Sequence, residues 1–148
     1  MTRQVAVKWV DGLRFVGSGY TNHALVIDGP AEDGGNDSGV RPGEMVLMAL
    51  AACTGIDVVA LLKKMRVRVD SFEIGVTAET AEHFPKYFTK IKVEYRVAGA
   101  NIPEDKLQRA IALSSETYCS VSAQLRPGAE LSYSYKILAP EGVAEAEK

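Results

Sequence analysis

The run Pro42-Gly43-Glu44-Met45-Val46-Leu47-Met48-Ala49-Leu50-Ala51-Ala52-Cys53-Thr54-Gly55-Ile56-Asp57-Val58-Val59-Ala60-Leu61-Leu62-Lys63-Lys64 places apolar side chains on nearly every face of a helix. Proline suits the first turn, where its missing N–H has no intrahelical partner. Glu44 meets the positive end of the helix dipole, and Lys63, Lys64 and Arg66 crowd the negative end. These signals predict one helix from Pro42 to about Met65, about 36 Å long at 1.5 Å per residue. Its apolar part, Met45 to Leu62, approaches the roughly 20 residues a bilayer requires. Asp57 within it would be costly in lipid without a partner. Thr54 and Gly55 also interrupt it, and no second span follows. A deeply buried helix of a soluble protein is therefore expected. An amphipathic helix shows one apolar stripe, whereas this one is apolar almost all round. One curved sheet and two short helices cannot cover every face. A second copy of the chain is expected against it, with Ala49, Ala51, Ala52 and Gly55 permitting close approach. A monomer wrapped by its own sheets is the alternative.

On the N-terminal side of this helix, Gln4–Val10 and Leu13–Ser18 read as a hairpin about Asp11-Gly12, a strong two-residue turn signal. His23–Asp28 reads as a third strand. Gly29–Arg41 collects Gly, Pro, Asp, Asn and Ser and reads as a mobile loop. On the C-terminal side, Val69–Glu79 and Phe88–Val97 alternate apolar and polar residues as two long strands. Pro103-Glu104-Asp105 starts a second helix, with Leu107, Ala110, Ile111 and Ser114 on one face. A short helix from about Cys119 to Leu125 stops at Arg126-Pro127-Gly128, and Leu131–Ile137 is a last strand. Strand runs separated by helices, with hairpin connections, indicate α+β. One domain is expected over 1–138, with 139–148 a disordered polar tail.

The chain has 148 residues, 47% hydrophobic and 24% charged, a formal net charge of −2 and two cysteines. That balance disfavours nucleic acid, whose binding needs clustered Lys and Arg. The Lys86–Lys92 stretch reads as a solvated strand face. Two cysteines are too few for a secreted disulfide scaffold, and the N-terminus shows no signal-peptide pattern. A cytoplasmic protein with no membrane contact is expected. His23, Cys53, His83 and Cys119 show no zinc-ligand spacing, so no metal is expected. The Gly-rich loop lacks the lysine of a phosphate cradle.

Cys53 lies mid-helix, and Cys119 opens a short helix whose N-terminus favours thiolate. Each alone can equally be a small buried hydrophobe. A cation near Cys53 would also favour thiolate, and Arg14 and Arg41 are the candidates. Glu44 lies two and a half turns from Cys53, on the opposite side of the helix, better placed to orient an arginine than to touch the sulfur. Met45, Leu47, Met48 and Phe15 suit an apolar slot, though core packing explains them equally well. Asp57 is read as structural, since a like charge would raise the thiolate pKa. Spacing alone does not bring Cys53 and Cys119 together.

The segments Pro42-Gly43-Glu44 through Ala51-Ala52-Cys53 and Ser115-Glu116-Thr117-Tyr118-Cys119-Ser120-Val121-Ser122 resemble the osmotically inducible protein / organic hydroperoxide resistance (OsmC/Ohr) family. The likeness covers nearly the whole chain and falls nearest a less characterised branch. It implies curved antiparallel sheets around a long buried central helix, in an intertwined homodimer. It also implies an antioxidant thiol peroxidase of the oxidative stress response, reducing organic and also inorganic hydroperoxides. By the resemblance, Cys53 becomes a sulfenic acid, Cys119 closes a disulfide with it, and a dithiol such as a lipoyl protein reopens it. Glu44 takes the role of the glutamate that holds a catalytic arginine, with Arg14 the first candidate and Arg41 the second. Met48 and Phe15 would contact substrate, and neither metal nor organic cofactor is needed. The sequence departs from the family pattern where Ser120 follows the second cysteine in place of proline. The rival reading is a non-catalytic dimer of the same fold that senses redox state or binds a small apolar ligand.

Overall fold

The computed structural model describes residues 1–140, and the chain groups into two compact units, Met1–Leu47 and Met48–Lys148. The sequence suggested one domain over 1–138. Of the expected disordered tail, 141–148 lies outside the described residues.

In the first unit, β1 (Ala6–Asp11), β2 (Arg14–Ser18) and β3 (Ala24–Ile27) form an antiparallel sheet in that order. The turn between β1 and β2 has Gly12 at φ +47°, a left-handed conformation that glycine adopts without steric cost. Trp9 Nε1–H donates to the Gly12 carbonyl at 3.0 Å, fastening the turn. The segment after β3 is tied down, which corrects the mobile loop expected there. Asp28 is 2% exposed, and its carboxylate accepts from the N–H groups of Gly29 (2.8 Å), Asn36 (3.1 Å) and Ser38 (3.1 Å). It also accepts from the Ser38 hydroxyl at 2.6 Å. Composition signals a loop, but one buried carboxylate organises it by satisfying backbone donors that would otherwise need water.

Helix α1 (Pro42–Lys64) begins in this unit and continues through the second. Its first turn is closed by Glu44, whose carboxylate accepts from the Arg41 N–H at 2.8 Å. This is the reach-back half of a capping box.

In the second unit, β4 (Ser71–Thr80), β5 (Phe88–Ala98) and β6 (Glu130–Leu138) form a sheet with β5 in the centre. β4 and β5 are antiparallel, pairing Ser71 with Ala98 and Val76 with Val93. β5 and β6 are parallel, pairing Lys90 with Glu130 and Ala98 with Leu138. Of the antiparallel sheets expected, one is antiparallel and the other is mixed, its β5/β6 pair being parallel. The physical reason is the connection: α2 (Glu104–Leu113) and α3 (Ser120–Leu125) carry the chain back before β6, and a parallel pair needs such a crossover.

Leu50, Thr54, Val58 and Leu62, spaced four apart on α1, are at most 1% exposed, and Thr54 bonds Tyr95 of β5. Ile91, Val93, Tyr95 and Val97 alternate as the buried face of β5, and Leu107, Ala110 and Ile111 of α2 complete the core. Each fully buried Leu, Ile or Val contributes about 1.5–3 kcal/mol. Gly55 lets α1 lie close on β4, since a Cβ there would stand 2.8 Å from Ile74 Cδ1. Within one chain the helix is not buried all round, as expected from one sheet and two short helices. Met48 (48%), Ile56 (71%) and Val59 (47%) are exposed, because one three-stranded sheet covers only one side.

Candidate active site

α2 runs into a wide π turn, Ser114–Tyr118, before the chain becomes extended at Cys119 (φ −70°, ψ 102°). Such turns are frequent at functional sites. Cys119 is the N-cap of α3 and not its first residue: its sulfur accepts from the Ser122 N–H at 3.4 Å, where Ser, Thr, Asp or Asn usually stands. It is 4% exposed.

Cys53 comes to this place from α1, on the flank of the buried stripe, and is half-buried. Its Sγ lies 3.8 Å from the Ser120 hydroxyl. The sulfurs of Cys53 and Cys119 and a carboxylate oxygen of Asp57 all lie within 4.8 Å of one another. Tertiary structure thus joins two thiols 66 positions apart. Both are free.

Their environments pull the two thiols in opposite directions. Desolvation pushes Cys53 up, but it is outweighed by the Val121 N–H, the Cys119 thiol and the hydroxyl and N–H of Ser120, so the net shift is downward. Burial dominates at Cys119 and drives it up, against the pull of the Ser122 hydroxyl and N–H, while neighbouring Cys53 raises it further. Such a split suits one thiol to attack as thiolate and the other to wait protonated.

Asp57, one turn beyond Cys53, anchors a buried hydroxyl chain. Ser114 Oγ donates to Asp57 Oδ2 at 2.9 Å. That uses the Ser114 proton, so its 2.8 Å contact with Thr54 Oγ1 has Thr54 as donor. The Thr54 proton is then committed, and Tyr95 O–H donates to Thr54 Oγ1 at 2.5 Å. Burial, the largest influence on Tyr95, pushes its hydroxyl well above the ordinary tyrosine range and keeps it a donor. Nearby, the hydroxyls of Ser122 and Tyr133 meet at 2.9 Å.

The remaining sequence candidates stand in pairs of their own. Arg14 Nε donates to Asp11 at 2.9 Å and Nη1 to the Ser38 hydroxyl at 3.3 Å. Arg41 pairs with Asp37. Glu44 holds the Arg41 main-chain N–H, so the guanidinium it was expected to orient is instead held by another carboxylate. Phe15 is half-buried in β2, and Met48 is exposed on α1. An apolar groove of about 590 Å³ does occur, but Ala51, Ala52, Gly55, Ile56, Val59 and Phe72 are among those lining it, in place of the expected methionines. Asp57, Ser114, Thr54 and Tyr95 stand at the site without having been singled out for it by the sequence. Two signals were available: Asp57 follows Cys53 at i+4, on the same helix face, and Ser114, Ser115, Ser120 and Ser122 crowd around Cys119. Among the described residues these two thiols and one carboxylate are three donors, one short of a closed structural zinc site.

A mixed α+β fold with a long apolar helix delivering one thiol to a second at a helix cap has close relatives. The family model described as OsmC-like protein matches residues 34–134, and the chain belongs to that family. Protein YhfA of Escherichia coli (strain K12) is 38% identical over 136 residues, covering 92% of this chain and 98% of that protein. The crystal structure of a hypothetical protein from Aquifex aeolicus VF5 matches at 26% identity with a TM-score of 0.83, covering 95% of this chain and 99% of that one. A Legionella pneumophila structure described as an organic hydroperoxide resistance protein OsmC matches at 14% identity and a TM-score of 0.65, covering 92% and 97%. That last likeness is one of fold.

Proposed function

We propose that this protein is a thiol-dependent peroxidase that reduces organic hydroperoxides, and inorganic peroxide with them, to the alcohol or water. The observation that carries the reading is the pair of free thiols whose sulfurs lie within 4.8 Å, one pulled down and the other pushed up. Cys53 thiolate attacks the distal peroxide oxygen, the O–O bond breaks, and the departing alkoxide takes a proton to give alcohol, leaving Cys53 as sulfenic acid. Cys119 then attacks the Cys53 sulfur, forming the disulfide and releasing water. A dithiol, such as a lipoyl protein, reduces the disulfide and is itself oxidised to a cyclic disulfide. The fold relative named for organic hydroperoxide resistance supports the substrate class.

In this proposal Arg14, with Arg41 second, polarises the peroxide, Glu44 supports the arginine, and Met48 and Phe15 meet the alkyl group. The working unit is a homodimer. Exposed Ile56, Met48 and Val59 on α1 supply apolar surface that a second copy covers. A cytoplasmic setting suits thiols that must return to the reduced state. Consumption of cumene hydroperoxide with dihydrolipoamide, compared with Cys53→Ser, tests the reading; equal rates would end it. The groove of about 590 Å³ favours a second reading, a non-catalytic dimer that holds an apolar ligand or senses peroxide. Peroxide oxidation of the pair without sustained turnover would select the sensor. Thiols left unmodified by one equivalent of peroxide would select the ligand binder.

A further inference from the structure

In the proposed peroxidase cycle both thiols react, and an acceptor is needed for the Cys119 proton. Disulfide closure requires it to leave: Cys53–S–OH and HS–Cys119 become Cys53–S–S–Cys119 and water. The S–O bond breaks, the S–S bond forms, and hydroxide departs needing one proton. The Cys53 sulfur is reduced as the Cys119 sulfur is oxidised, so no further oxidant is involved. Burial makes Cys119 reluctant to ionise unaided. The Ser122 N–H that its sulfur accepts is a donor and cannot receive a proton.

We infer that Asp57 takes the Cys119 thiol proton as the disulfide closes and passes it to the hydroxide leaving Cys53, and that Ser114, Thr54 and Tyr95 hold its carboxylate in position for this. The inference rests on the peroxidase reading and extends it to the resolving step. Three observations carry it. The carboxylate lies within 4.8 Å of both sulfurs, and so of both ends of the proton's path. The hydroxyl chain runs in one direction, Tyr95 to Thr54 to Ser114 to Asp57, every proton pointing toward the carboxylate. Such an arrangement leaves the chain no proton to donate elsewhere. Tyr95, Thr54 and Ser114 are fully buried, so the chain is a rigid support for a group at the edge of the site. Ser114 occupies Oδ2, and a carboxylate accepts through both oxygens, so capacity for the thiol proton remains.

The first chemical step does not need this path; only the second does. The test therefore separates them. The full-length protein is mixed rapidly with one equivalent of cumene hydroperoxide in the presence of a chelator. Sulfenic acid at Cys53 is trapped with dimedone, and disulfide is counted by mass after thiol alkylation. In Asp57→Asn, disulfide closure should slow by about tenfold or more, with Cys53 oxidation changed less than about threefold, so that sulfenic acid accumulates. Added formate should restore part of the closure rate to Asp57→Ala. Ser114→Ala, which keeps the carboxylate but removes its donor, should slow the same step by about threefold, and it serves if the Asp57 variants do not fold. Closure at the wild-type rate in Asp57→Asn, or equal slowing of both steps, overturns the inference. If the wild type forms no Cys53 sulfenic acid, the peroxidase reading itself has failed. If it forms both sulfenic acid and disulfide while Asp57→Asn and Ser114→Ala keep pace, only the role of Asp57 falls.

Discussion

Thr54→Val is the sharpest probe of the buried chain, because valine keeps the shape and removes only the hydroxyl. Thr54 Oγ1 accepts from Tyr95 O–H at 2.5 Å and donates to Ser114 Oγ at 2.8 Å, and all three side chains are fully buried. In the variant the Tyr95 hydroxyl loses its acceptor in the core, an orphaned donor worth about 1–3 kcal/mol. The lost bond to Ser114 adds about 0.5–1.5 kcal/mol, less than an orphan, since Ser114 still donates to Asp57. The total is about 1.5–4.5 kcal/mol, which for a chain of this size lowers Tm by roughly 3–18 °C. Equilibrium urea unfolding at fixed protein concentration should show a lower midpoint with an unchanged slope. Tyr95→Phe combined with Thr54→Val removes both members of the pair, and the double mutant should be more stable than the sum of the single losses by about 1 kcal/mol. A loss below about 0.5 kcal/mol for Thr54→Val, the range of an ordinary surface change, would refute the buried chain. So would strict additivity in the cycle.

Iodoacetamide labelling against pH should show Cys53, read in Cys119→Ser, reacting as thiolate from below the ordinary cysteine range. Cys119, read in Cys53→Ser, should ionise above that range; the reverse order would undo the assignment of attacking and resolving thiols. The Ser38 hydroxyl is the foremost influence holding Asp28 below its ordinary value, with the N–H groups of Ser38, Gly29 and Asn36 adding to it against the cost of burial. A carboxyl depressed by folding stabilises above its unfolded pKa, near 3.9, and loses that contribution as pH falls through the folded value. Asp28→Asn should flatten the acid arm of the stability–pH profile, and an unchanged arm would show that the loop does not depend on this carboxylate. Ile56→Glu places a charge at a position 71% exposed in one chain, so it should leave the subunit folded yet convert a dimer to monomer in sedimentation velocity. A monomeric wild type, or a variant that stays dimeric, would count against pairing through α1.

The parts of the fold legible in the sequence are those set by neighbours along the chain. Pro42, Glu44 and the Lys63-Lys64 pair mark both ends of α1 because helix termini are local events. Asp11-Gly12 marks the hairpin, and alternation marks β4 and β5, for the same reason. Less legible was anything resting on partners far apart. β6 lies parallel to β5 because two helices intervene, and its own residues alternate alike in either direction. The segment after β3 has the composition of a free loop, and only burial of Asp28 reveals the centre that holds it.

The site divides along the same line. By itself the sequence determined the two thiols, the helix that carries Cys53, the helix start at Cys119 and the family they resemble, since all of these are written in residue type and short spacing. Only the tertiary structure decided that the sulfurs lie within 4.8 Å, that their proton affinities part in opposite directions, and that Asp57 stands with them at the end of a chain of hydroxyls. Those properties depend on burial and on hydrogen bonds between residues 41 to 60 positions apart, such as Thr54 with Tyr95 and with Ser114. Such contacts come into being only when α1, β5 and the turn after α2 pack around one core.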